Sequence, residues 1–144
     1  MTSSRPRDRY GRPLPAGSPD ELRRAKAPPA TAVALDHAVE HFDAARFFEA
    51  HELFELVWKA DDIADPDRKF WKGVTQVAVG CCHVQRGNAR GAIALLRRAA
   101  RHLEGRTVQR VDGAELIRLA LDLARTIERG GTASVRAFPC FPLR

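Results

Sequence analysis

Between about residues 31 and 130 the apolar positions recur every three or four residues, the spacing of one face of an α-helix. Leu35, Ala38, Val39 and Phe42 mark a first helix over about 31–44. After a break at Ala45–Arg46, a second helix runs from Phe47 to about Ala60. Asp61 to Asp65 reads as a loop. Asp65 is placed to cap a third helix, Pro66 suits its first turn, and the pattern continues to about Arg86. Gly87 ends that helix and Asn88 caps a fourth, over about 89–104. Asp112 and Glu115 form a capping-box-like pair that opens a fifth helix. Its stripe is Leu116, Leu119, Leu123 and Ile127, and Gly130 and Gly131 stop it. Strand-like alternation shows only as a weak trace after Thr132. The expected fold is all-α, a compact bundle of about five helices.

The flanks differ in kind. Residues 1–30 hold six of the nine prolines, with arginines and glycines between them. Such a composition does not bury a core, so an extended or disordered arm is expected, one able to drape over the domain. The division is then a basic arm over 1–30, a helical domain over 31–130 and a tail over 131–144. The tail segment Phe138 to Leu143 is apolar with two prolines, and docking on the domain or on a partner chain is expected. An internal repeat at an offset of 42 pairs Ala38 with Gly80, His41 with His83, Ala50 with Ala92 and Leu53 with Leu95. Its spacing of small residues is similar to tetratricopeptide-type antiparallel hairpins, though the full consensus is absent.

Charge adds one option. The net charge is +6. A basic balance permits contact with nucleic acid or an acidic surface without establishing either. Arg90, Arg97 and Arg101 fall within about 40° on the fourth helix, with Arg98 beside them. With the arm they form a candidate phosphate- or partner-binding set, set against the plainer reading of a solvated face. The three cysteines show no CxxC and no spaced framework, so a reducing, cytoplasmic setting is expected. No signal-like apolar run opens the chain, and Val74 to Val84 is too short to span a membrane. Partners remain open: a protein, a second copy of the chain, or nucleic acid.

The chemistry-bearing positions concentrate in FFEAHELFE, Phe47 to Glu55. His51, Glu55 and Trp58 share a stripe about 60° wide on the second helix. Ala50, Leu53 and Val57 form its core side, and Glu49 and Glu52 are expected on the solvated side. On the third helix Gly73, Gly80 and Gly87 are spaced by seven, and Gln76 and His83 share that stripe. Glycine inside a helix costs about 1 kcal/mol against alanine, so the run implies a close approach of another helix or a ligand. If the second and third helices are neighbours, Gln76 and His83 meet His51 and Glu55. Three readings compete for this cluster. It is a buried hydrogen-bonded network that fixes helix register. It is a divalent-metal site with His51, Glu55 and His83 as ligands, although Glu55 stands where a His-Glu-x-x-His pattern needs histidine. Or it performs acid–base chemistry or binds a ligand. Whether the chain is an enzyme, and whether a cofactor belongs to it, stays open. The network reading predicts that Glu55→Ala destabilises more than Glu49→Ala.

The stretches FFEAHELFELVW (Phe47 to Trp58) and KGVTQVAVGCCHVQRGNARGA (Lys72 to Ala92) together resemble the bacterial and archaeal family called domain of unknown function 309. The matching residues are His51, Glu52, Glu55, Trp58, Gly73, Gln76, His83, Gly87 and Asn88, and the likeness covers about Ala38 to Glu104. Lys72 and the Cys81–Cys82 pair depart from it. The leader RDRYGRPLP (Arg7 to Pro15) is similar to that of actinobacterial members. The resemblance implies a small helical bundle and no activity.

Overall fold

The computed structural model describes residues 5–22, 31–106, 108 and 110–144. The remainder of the arm, with Arg23, Arg24, Lys26, Pro28 and Pro29, lies outside the described residues. Five α-helices follow in order: α1 Thr31–Asp43, α2 Phe47–Trp58, α3 Asp65–Gln85, α4 Ala89–Leu103 and α5 Gly113–Gly130. A short 3-10 turn, Thr132–Ser134, follows α5. The helices form one packed bundle with no strand among the described residues, in which α1 meets α2, α2 meets α3, α3 meets α4 and α4 meets α5. Two isolated bridges, Arg7 with Pro13 and Val111 with Leu143, are all that resembles a ladder.

The helix ends follow the capping chemistry closely. Asn88 accepts a hydrogen bond from Gly91 N at 3.0 Å, and Asp112 accepts one from Glu115 N at 3.1 Å. Each satisfies one of the free amides at a helix start. The reciprocal half of the Asp112 box is absent: Glu115 pairs with Arg118 instead, and Asp112 N donates to Pro142 O at 3.0 Å. Asp65 is not the cap of α3. Ala64 holds that position in extended conformation, without a side-chain bond, and Asp65 opens the helix beside Pro66. There its carboxylate still lies near the positive end of the helix dipole.

Small residues set the distance between α3 and α4. A Cβ added at Gly73 would come within 3.0 Å of His102 Cβ and 3.1 Å of the Ala99 carbonyl oxygen. One at Gly80 would meet Leu96 at 2.9 Å. Gly87 has another role. It sits just past α3 at φ 75° with open space around it, the left-handed turn that ends the helix. The core runs through all five helices, from Phe42, Phe47 and Phe54 through Phe70 and Leu96 to Leu116 and Ile127.

The tail docks on the bundle. Phe141 lies edge-on to Phe42 and stacks on Phe54, each at 5.3 Å, and Phe138 meets Phe47 at 4.7 Å. Phe141 N donates to Asp43 Oδ1 at 2.7 Å, and Arg144 N to Arg110 O at 2.9 Å. Aromatic pairs of this kind contribute about 0.5–1.5 kcal/mol beyond the area they bury.

The described part of the arm, residues 5–22, is folded. Asp8 organises it. Its Oδ1 accepts the amides of Tyr10 and Arg12 at 2.9 and 2.8 Å, and its Oδ2 takes Arg12 Nε at 2.6 Å. Burial pushes the Asp8 carboxyl up, but the Arg12 and Tyr10 amides and the Arg12 guanidinium outweigh it and hold it below 3.8. Gly11 closes the turn at φ 84°, so tight against Phe48 that a Cβ would fall 2.0 Å from the ring.

Candidate functional site

The sequence-selected cluster is dispersed in the structure. His51 Nδ1 lies 2.5 Å from Phe48 O, one turn back on its own helix, and the imidazole packs edge-on against the Phe48 ring at 4.6 Å. Its Nε2 is 3.9 Å from Glu55 Oε1, and Glu55 also faces Lys59 Nζ at 3.6 Å. Glu55 is 39% exposed, so the pair lies at the surface rather than inside. Trp58 is half-buried, with Lys59 over its ring at 5.3 Å and its indole Nε1 buried without a hydrogen-bond partner.

Gln76 and His83 pair elsewhere. Gln76 Oε1 lies 2.6 Å from His102 Nδ1 on α4. His83 Nδ1 lies 3.1 Å from Asn88 Nδ2 at the cap of α4. The physical reason is the glycine spacing. Gly73, Gln76, Gly80 and His83 lie along one stripe of α3, and α4 is the helix that closes onto its glycines. The stripe therefore faces α4 and not His51 on α2. Among the described residues no group of three or more His, Cys, Asp and Glu side chains is arranged to hold a metal ion, so His51, Glu55 and His83 are not assembled as a ligand set.

The arginine set divides as well. Arg97 pairs with Glu128 of α5. Arg90, Arg98 and Arg101 are exposed and enter none of the ion pairs among the described residues.

Glu49, expected in solvent, is 2% exposed and is the most deeply buried charged side chain among the described residues. Its partner is Arg46, in the turn between α1 and α2, with Nη2 2.5 Å from Glu49 Oε2 and the arginine side chain 22% exposed. The contact is an ion pair without hydrogen-bond alignment: both Glu49 oxygens and Arg46 Nε are buried with no hydrogen-bond partner. Buried polar atoms left in this state cost about 1–3 kcal/mol each, more for charged groups. His41 lies close enough to feel both. Burial holds its imidazole below 6.5, Glu49 pulling it back up and Arg46 pushing it down. One sequence signal was available, since Arg46-x-x-Glu49 is an i,i+3 pair of opposite charge at a helix start.

A cavity of about 380 Å³ opens at this corner, lined by Arg9, Tyr10, Ala44, Ala45, Arg46 and Gln85. Three segments build it: the folded arm, the α1–α2 turn and the end of α3. Tyr10 is fixed through its carbonyl, which accepts Arg86 Nε and Nη2 at 3.3 and 3.2 Å. Arg7 adds its guanidinium over the Phe48 ring at 5.0 Å. Ala45 stands at φ 57°, a left-handed conformation that costs a non-glycine residue energy. Gln85 Nε2 holds it there through the Ala45 carbonyl at 2.7 Å. Two arginines, a glutamine and a tyrosine are among the residues that line this cleft, a residue set suited to a small anionic group. Burial pushes the Cys81 thiol strongly up and raises that of Cys82 to about 12, which disfavours the nucleophilic thiolate form.

Comparison with known proteins agrees with the motif reading. Residues 35–95 match the family model described as "Domain of unknown function (DUF309)". The chain is 34% identical over 70 residues to "Uncharacterized protein YpuF" of Bacillus subtilis (strain 168), an alignment covering 49% of this chain and 40% of that protein. Less than half the length of that relative is therefore spanned. No solved structure matches. The resemblance drawn from the two motifs holds over residues 35–95, and it brings no specific function with it.

Proposed function

We propose that this chain, whose residues 35–95 match the family of domain of unknown function 309, is a small helical binding module that takes an anionic small molecule in the cleft beneath its arm. One observation carries the proposal. Glu49 is buried against the partly exposed Arg46, three polar atoms of the pair lack hydrogen-bond partners, and Arg46 and Arg9 line a cavity. Glu49 pairs with Arg46 Nη2, and Arg46 also lines the cavity, where it would meet a carboxylate or phosphate oxygen in charge-assisted bonds. The cavity volume of about 380 Å³ falls at the small end of known ligand sites.

The polar positions selected from the sequence fit a structural role under this reading. His51, Gln76 and His83 are each engaged by a different neighbour and do not converge on one point, and the Gln76–His102 contact joins α3 to α4. The sequential packing of α1 to α5 supports a tetratricopeptide-like pairing of hairpins. Free thiols, two of them buried, fit a bacterial cytoplasm, and among the described residues no helix is long and apolar enough to cross a membrane.

Titration calorimetry with succinate and with inorganic phosphate tests the reading on the whole chain. Wild type is expected to bind at least one of them, with Arg9→Ala weakened about tenfold, as for the loss of one charge-assisted bond. Equal affinity in Arg9→Ala, or no heat with either probe, would remove the cleft from consideration.

A further inference from the structure

Residues 5–22 of the arm hold together through their own hydrogen bonds and meet the bundle at two joints. Beyond the Asp8 turn, Leu14 N donates to Pro6 O and Glu21 N to Arg7 O, each at 2.9 Å. Asp20 Oδ1 accepts Arg7 N at 2.9 Å, and Arg7 Nη1 donates to Gly11 O at 2.6 Å. At the first joint Gly11 is buried against the Phe48 ring of α2, and the Arg7 guanidinium stands over the same ring at 5.0 Å. At the second, the Tyr10 carbonyl accepts Arg86 at the end of α3, and Cys82 Sγ lies 3.9 Å from it. Only Asp8, Gly11 and Leu22 are buried among residues 5–22. A segment held by so little apolar contact opens locally at far lower cost than the bundle unfolds.

The cleft lies at this docking site and has two halves. Arg9 and Tyr10 belong to the arm, whereas Ala44, Ala45, Arg46 and Gln85 belong to the bundle. The Arg9 guanidinium lies over the Tyr10 ring at 5.4 Å, so the arm itself sets where that cation stands. Undocking the arm takes Arg9 and Tyr10 out of the cleft. We propose, on the basis of the anion-binding reading above, that arm docking and anion binding are coupled: the arm is a strap that completes the site, and the bound anion holds the strap down. A ligand that contacts both halves binds the docked chain alone, and the linkage is reciprocal.

The test joins tryptic cleavage of the full chain after Arg7 and Arg9, read by mass spectrometry, to calorimetric titration with succinate and with inorganic phosphate. Cleavage of a locally opened segment tracks the population of its open form. Gly11→Ala undocks the arm: the position has φ 84°, the new methyl would fall 2.0 Å from the Phe48 ring, and Gly11 does not line the cleft. Arg86→Gln acts at the other joint. Gly17→Ala is the control, with φ 86° and nothing within 4 Å, so it carries the backbone strain without the clash. Unaltered melting temperatures establish that the bundle of each variant folds. In wild type, the probe that binds is expected to slow cleavage about tenfold when present at about ten times its Kd. Gly11→Ala, docked in about a tenth of the molecules, is expected to be cut faster and to bind about tenfold more weakly. Arg86→Gln moves in the same direction, and Gly17→Ala matches wild type in both measurements. Variants cut faster that bind as wild type overturn the coupling and leave the cleft in place, as does wild-type cleavage that the bound anion does not slow. Binding of neither probe to wild type removes the cleft itself, and the strap with it.

Discussion

Glu49 and Glu55 sit six residues apart on one helix and live in opposite surroundings. Glu55 is 39% exposed and shares its charge with Lys59, a contact that solvent screens. Glu49 is 2% exposed, and its loss leaves the Arg46 guanidinium in a buried corner without its counter-charge. The order expected from the sequence is therefore reversed. Glu49→Ala should lower stability by about 2 kcal/mol and Glu55→Ala by less than about 0.5 kcal/mol, measured by urea denaturation. Equal midpoints for the two variants would contradict the buried pair. The misplacement has a clear origin. Glu49 lies about 40° round the helix from Leu53, at the edge of the buried arc, and charge alone argued for solvent. Only the arginine in the preceding turn makes its burial tolerable, and that arginine lies outside the helical pattern.

At the scale of the elements, periodicity and caps were legible: Asn88, Asp112 and Gly87 end or begin helices as their chemistry demands. What periodicity left open was which neighbour each stripe faces. The Gly73–Gly80 stripe of α3 called for a close helix, and α4 provides it, taking Gln76 and His83 with it. Replacing Gly73 by alanine separates propensity from packing. Helix propensity alone predicts a gain of about 1 kcal/mol. The new methyl would instead meet the Ala99 carbonyl at 3.1 Å, backbone that cannot turn aside. Overpacking of this kind costs about 1–3 kcal/mol, so a net loss of about 1 kcal/mol and a lower melting temperature are expected. A higher melting temperature would show that α3 and α4 are not held this close. The arm, too, was partly legible. Its prolines argued for an extended or disordered segment, whereas Asp8 and Gly11, three apart, carried the turn signal that folds the described part.

For the molecule as a whole, the histidines set a dependence on pH. Burial lowers His41, His83 and His102 below 6.5, with neighbouring cations adding to the effect at each. A histidine lowered in the folded state stays neutral while the unfolded chain takes up the proton. The unfolded state then binds more protons as the solution is acidified, and stability falls from about pH 6.5 downward. The melting temperature should decline between about pH 7 and pH 5, and His102→Gln, which keeps a partner for Gln76, should flatten part of that decline. A melting temperature that rises on acidification over this range would contradict the burial of these rings.

We propose that the Arg46–Glu49 corner beside the arm is where this molecule binds its ligand. Amide-resolved NMR of the labelled chain during a succinate titration locates the site directly. The amides of Tyr10, Ala45, Arg46 and Gln85 are expected to move together and saturate at one concentration, while those around His51 and Glu55 stay in place. Shifts centred on His51 and Glu55, with the α1–α2 turn unmoved, would contradict it.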